Sequence, residues 1–274
     1  MRRLLWILIP TALAVVAVVT ATVIWGPTLM GGDTNSAPSG VAVEDDEDFG
    51  TVEVYDVSET GDLVPGASGL TAEVWEVFTR IATIETVADK LVQFRVGDNA
   101  DSDTLAYVVQ HDDDAYYWIL AANLATSTDR AELIATLVHE YAHIVVLDIS
   151  ELDPNGTCAD EDVVWEACPT EDSILAAFDR QFWDAYGDED PEYGTQDDVD
   201  AFYAAHEEDF VSDYAASNVS EDFAETFMTW VVENEVDGSG VIGEKYAFLA
   251  QYEILVDMRD RIRAEFADDL GLVL

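Results

Sequence analysis

Positive charge is scarce in this chain: 11 Lys+Arg stand against 58 Asp+Glu, a formal net charge of −47 over 274 residues. So few cations leave no surface that could neutralise a phosphate backbone, which excludes nucleic acid as a partner. The acid clusters at 98–103 and 112–114 lack the ligand-and-glycine pattern of an EF-hand loop, so they read as solvated turns rather than calcium sites. No internal repeat is visible. Disorder is excluded in spite of the charge, because hydrophobic residues make up 49% and include 11 Phe, 11 Tyr and 7 Trp. An acidic excess spread over the whole fold suits a protein that must stay hydrated in salty or harsh extracellular surroundings; a biased genomic composition would give the same balance. Cysteine occurs only twice, at Cys158 and Cys168 with nine residues between them. That spacing fits a disulfide closing a small loop in an oxidising compartment, with two buried thiols as the alternative.

Long hydrophobic runs are absent save one. Arg2 and Arg3 precede an uncharged stretch of 22 residues, 4–25, which is long enough to span a bilayer. It reads as a retained anchor or a cleaved signal, and either way the positive-inside bias exports the acidic remainder. The expected location is therefore the cell membrane with an extracellular domain, or the medium, with the N-terminal helix as the only membrane contact. Residues 26–68, rich in Gly, Ser, Asp and Glu, read as an acidic flexible linker. A globular domain is then expected over 69–274. In it, Val74, Val77, Phe78, Ile81 and Ile84 follow helical spacing across 70–87. The β-branched and aromatic segments 90–96, 104–110 and 116–122 predict a small antiparallel sheet. Helical patterns follow over 129–148, 172–186, 196–211, 218–232 and 244–266, so the fold class is α+β with a mostly helical second half.

One motif carries chemistry. The helix opening at Asp129, with Glu132 three residues on as a capping box, contains His139-Glu140-Tyr141-Ala142-His143. A spacing of four turns the second histidine about 40° from the first and one turn along, so both imidazoles reach one ion while Glu140 stands beside it. A buried helix with two packed histidines would satisfy the apolar flanks equally well. Catalytic zinc needs a third ligand, and no third histidine follows in metzincin spacing. Downstream, Asn218 can cap a helix on which Glu221 and Glu225 share one face among Phe223, Ala224, Phe227 and Trp230. One acid can ligate the metal while the other accepts a hydrogen bond from a ligand imidazole. His111 and His206 read as surface residues.

At these residues the chain resembles the gluzincins, zinc metallopeptidases with two motif histidines and a glutamate from a later helix. Tyr214, Glu221 and Glu225 are similar to the corresponding stretch of the lethal-factor and Pro-Pro endopeptidase group, where a tyrosine lies seven residues before the ligand Glu and a second acid four after it. The chain also resembles exported bacterial proteins described as zinc-binding metallopeptidases. It departs from the thermolysin pattern, which has an Asp where Glu225 stands, and it carries Ala142 where many relatives carry Gly. The resemblance implies a zincin-like fold and Zn2+ held by His139, His143 and Glu221, with Glu225 supporting an imidazole. It further implies Glu140 as general base and Tyr214 as donor to the oxyanion of a peptide or protein substrate. The strand 116–122 is expected at the cleft edge, and the Cys158–Cys168 segment at its rim. An inactive, zinc-stabilised extracellular binding domain would use the same ligands, and cell-wall peptides are an equally compatible substrate.

Overall fold

The computed structural model describes residues 40–112, 114–153, 168–191, 194–236 and 238–273. The expected N-terminal helix, the linker up to residue 39 and Cys158, with the disulfide drawn to Cys168, lie outside them. Among the described residues no helix is long and apolar enough to cross a membrane.

The order of the sheet follows from one strand. β6 (Asp114–Asn123) ends in six successive buried residues, Trp118 to Asn123, and a strand with no face left for solvent belongs inside a sheet and not at its edge. It lies there. With β1 (Ala42–Asp46), β2 (Gly50–Val57), β3 (Leu63–Val64), β4 (Leu91–Gly97) and β5 (Ala106–His111), the order is β1-β2-β4-β6-β5, and β3 pairs with β2. The three central segments form strands as expected, but the sheet they share is mixed. β5 folds to the outer side of β6, leaving β4 and β6 parallel while the other pairs run antiparallel. Strand patterning marks each strand and says nothing about which one takes the centre, so the antiparallel expectation is corrected here. The cleft-edge expectation is corrected with it, since the outermost strand is β5 and not 116–122.

A second correction concerns 42–64, expected as flexible linker, which supplies β1, β2 and β3. Its acidic composition hides an alternation: Val52 and Val54 are buried with Phe49 and Ala121 on one face of the sheet, and Tyr55 joins the main core on the other. Phe49 stacks on Tyr107 of β5 at 5.4 Å between ring centres.

Helices cover the opposite face. α1 (Leu70–Ala82) turns Val74, Val77, Phe78 and Ile81 inward. The expected single helix over 70–87 breaks at Thr83, whose φ of 80° interrupts the spiral and whose hydroxyl accepts from Thr86 N to start α2 (Ile84–Lys90). α3 (Arg130–Val146) is buried over most of its length and packs between β5, α1 and α6 (Val219–Val232). Between them come α4 (Ile174–Phe182) and α5 (Gln196–His206). The pattern over 244–266 resolves into α7 (Gly240–Leu249) and α8 (Glu253–Glu265), separated where Tyr252 becomes extended and its ring settles 5.1 Å from Phe248. The result is an α+β fold with a mixed sheet and a largely helical second half.

The correction over 42–64 has a measurable consequence. A fragment starting at residue 69 loses Phe49, Val52, Val54 and Tyr55, each buried, and a buried apolar side chain contributes about 1.5–3 kcal/mol. Fragment 69–274 should therefore unfold at least about 10 °C below fragment 40–274 by thermal circular dichroism, given about 2–4 °C per kcal/mol at this size. Equal midpoints would show that the first three strands add nothing to the fold.

Candidate metal centre

Two capped helices bring the motif residues together. Asp129 accepts from the amides of Ala131 and Glu132, both at 3.0 Å, and starts α3. Asn218 does the same for α6, accepting from Ser220 N at 2.9 Å and Glu221 N at 3.0 Å. α3 and α6 pack side by side. The helical phase then sorts the motif: His139, Glu140 and His143 face the site, while Tyr141 packs edge-on against Phe78 at 6.4 Å.

Three atoms converge. His139 Nε2 lies 3.0 Å from His143 Nε2, and Glu221 Oε2 lies 3.1 Å from the first and 3.4 Å from the second. All three residues are buried or nearly so. Tetrahedral bonds of about 2.1 Å place ligand atoms about 3.4 Å apart, so the spacing suits one ion. The far side of each ring supports the same conclusion. His139 Nδ1 is 2.8 Å from Glu225 Oε1, and a carboxylate oxygen accepts, so Nδ1 carries a hydrogen and Nε2 is the nitrogen turned toward the cluster. His143 Nδ1 faces Ser220 Oγ at 3.1 Å, a contact that orients the ring with the hydroxyl either donating or accepting. Glu225 is held from behind by Ser212 Oγ, which donates to Oε2 at 2.7 Å. Two imidazole nitrogens and a carboxylate oxygen therefore share one small space, and His139, His143 and Glu221 can hold a metal ion there.

Electrostatics agree with this reading. Burial opposes charge on Glu221, but the two imidazoles outweigh it and hold the carboxyl far below its ordinary range. Burial also opposes charge on His139; the hydrogen bonds and charges of Glu221 and Glu225 prevail and place its pKa well above the ordinary histidine value. A proton on His139 thus does, in the free protein, what a metal cation does when bound. Glu140 is raised, chiefly by burial, with the two imidazoles opposing and the Val108 backbone supporting its charge. Tyr214 stands in a short 3-10 turn, Tyr214–Ala216, with its ring 5.9 Å from that of His139. Its hydroxyl is buried without a hydrogen-bond partner among the described residues. Burial and the surrounding acids Glu221, Glu140 and Glu225 hold the phenol well above its usual pKa, so it remains a donor.

β5 closes one side. The bond from Asn123 N to Leu105 O at 2.9 Å sets the phase of the β5–β6 ladder. With Val108 opposite Leu120, Tyr107 and Val109 bond to β6, and the backbone polar groups of Ala106, Val108 and Gln110 point to the open edge. Of the residues expected at the site, His139, Glu140, His143, Tyr214, Glu221 and Glu225 are brought together. His206 lies elsewhere, its ring 4.8 Å from those of Tyr186 and Phe202, and His111 ends β5. The rim segment between the cysteines lies outside the described residues. Ser212 and Ser220 escaped the sequence reading. Ser220 sits one residue before Glu221 in a capped first turn, a position that its sequence neighbours do indicate; Ser212 has no local signal. No family model, curated protein or solved structure matches this chain.

Because His139 holds a proton that an incoming ion must displace, metal affinity should fall about tenfold per pH unit below the His139 pKa. Calorimetry at pH 7 in two buffers of different ionisation enthalpy should show close to one proton released per ion bound. Heats independent of the buffer would show that His139 is neutral in the free protein.

Proposed function

We propose that this protein is an exported zinc-dependent peptidase. The observation that carries the reading is the pairing of a buried carboxylate, Glu140, with a buried, unpartnered phenol, Tyr214, around the His139–His143–Glu221 cluster. A site meant only to fix a fold needs neither group. Two histidines and a glutamate form a borderline donor set that would suit zinc. Zinc, when bound there, would supply a Lewis acid for a carbonyl oxygen and lower the pKa of a water.

The protein groups have separate tasks. Glu140, with its affinity for protons raised by burial, takes a proton from the attacking water and hands it to the leaving amine. Tyr214 donates its hydroxyl hydrogen to the oxygen that gains charge as the carbonyl carbon becomes tetrahedral. Glu225 and Ser220 orient the two imidazoles from behind, and Ser212 holds Glu225. The open edge of β5 offers backbone groups to an extended peptide chain, which supports peptides as the substrate class. The apolar run 4–25, following two arginines, supports export through an anchor or a cleaved signal.

The test is cleavage of a denatured protein pool by the zinc-loaded protein, read by mass spectrometry. Glu140→Gln should keep fold and zinc yet lose turnover by a factor of about 100 or more, as for removal of a general base. Unchanged turnover would remove Glu140 from the chemistry and the peptidase reading with it. The two later acids should rank clearly in chelator competition: Glu221→Ala loses a metal bond, whereas Glu225→Ala loses only the partner of an imidazole, a cost of about 10–100-fold. The opposite ranking would assign the metal to Glu225.

A further inference from the structure

Next to Glu221 lies a buried charge pair that the chemistry above does not use. Asp222 and Lys245 of α7 are both fully buried, and Lys245 Nζ is 2.6 Å from Asp222 Oδ2. Asp222 also accepts from Trp183 Nε1 at 2.8 Å and from Thr226 Oγ1 at 3.2 Å, so its carboxylate faces away from the histidines and is fixed on three sides. The ammonium in turn donates to the Asp209 carbonyl at 2.7 Å and stands 4.2 Å from the centre of the Phe210 ring.

A buried ion pair is weak evidence for stability, since apolar replacements of similar size are often as stable. Its position in the chain is more informative. Asp209 and Phe210 open the short stretch that ends at Tyr214, and inside it Ser212 donates to Glu225 Oε2 at 2.7 Å and accepts from Ala215 N at 3.0 Å. The stretch is thus tied to α6 at two places: at Glu225 through Ser212, and at Asp222 through Lys245. We infer that Lys245, anchored on Asp222, is a positioning residue that holds residues 209–214 against α6 and so sets the Tyr214 hydroxyl beside Glu221. This role rests on the peptidase reading, in which Tyr214 donates to the oxyanion. It makes α7 a functional part of the site, although α7 contributes no group to the cluster itself.

The test uses the full chain with Asp222→Asn and Lys245→Met combined, so that no unpaired charge is left buried. The double variant should fold and bind zinc within about threefold of the parent, with kcat down at least about tenfold and KM nearly unchanged. Amide exchange over 209–217 should be faster, with α3 unchanged. Adding Tyr214→Phe should then cost far less than it does in the parent, because a displaced tyrosine has already lost its function. A purely structural pair would give losses that multiply, and that result, or an unchanged kcat, overturns the proposal. Loss of zinc from the double variant would place the pair's role on Glu221 and overturn it too. Should the double variant fail to fold, Phe210→Leu, which removes only the ring beside the ammonium, should show the same exchange and kcat pattern in milder form; neither change would overturn the proposal. If the parent binds no zinc and cleaves nothing, the peptidase reading fails separately. The exchange rates over 209–217 then decide alone whether Lys245 holds this stretch, with unchanged rates overturning it.

Discussion

Two imidazole nitrogens and one carboxylate oxygen, buried and 3.0–3.4 Å apart, need a proton or a metal ion among them. With nothing between them their lone pairs would face one another, in surroundings too apolar to screen the repulsion. A proton on His139 meets the need partly. A metal ion meets it at all three atoms, because it accepts three electron pairs at once. Most of the second half of the fold follows from that constraint: two long helices must lie side by side, each started by its own cap, so that residues a whole chain segment apart meet at one point.

The surroundings then decide what the cation does. Carboxylate support behind His139 and hydroxyl support behind His143 keep both rings facing inward. Glu140 and Tyr214 lie next to the cluster without being part of it, a buried carboxylate whose charge the Val108 backbone supports and a buried phenol that remains a donor. The net charge of −47 acts at longer range, since a strongly negative field draws cations to the protein and weakens with added salt. The same field gives metal uptake an electrostatic advantage and the folded state a self-repulsion that the packed core must overcome.

What could be read in advance followed the range of each interaction. His139, Glu140 and His143 were legible because their relation is one helical turn, a local geometry that the chain spells out directly. The caps Asp129 and Asn218 were legible for the same reason. The partnership of α3 with α6 was not local: 86 positions separate His139 from Glu225, and it was suggested only indirectly, by two acids sharing one apolar helix face and by a resemblance in spacing among Tyr214, Glu221 and Glu225. The sheet was least legible. The neighbouring acids Glu53 and Asp56 disguised Val52 and Val54 as linker, and no strand's own pattern tells whether its neighbour in space is its neighbour in sequence. Lys245 was invisible for a related reason, since a lysine next to Glu244 on a mostly apolar helix declares its burial only when Asp222 is found opposite.

The central claim is that the three donors bind one ion, and elemental analysis of the full chain tests it most directly. After zinc is supplied and loosely held metal is dialysed away, the account predicts close to one zinc per chain, and almost none when His139 and His143 are both replaced by alanine, because too few donors remain to retain it. A parent protein that stays metal-free, or a doubly substituted one that keeps a full equivalent, would contradict it.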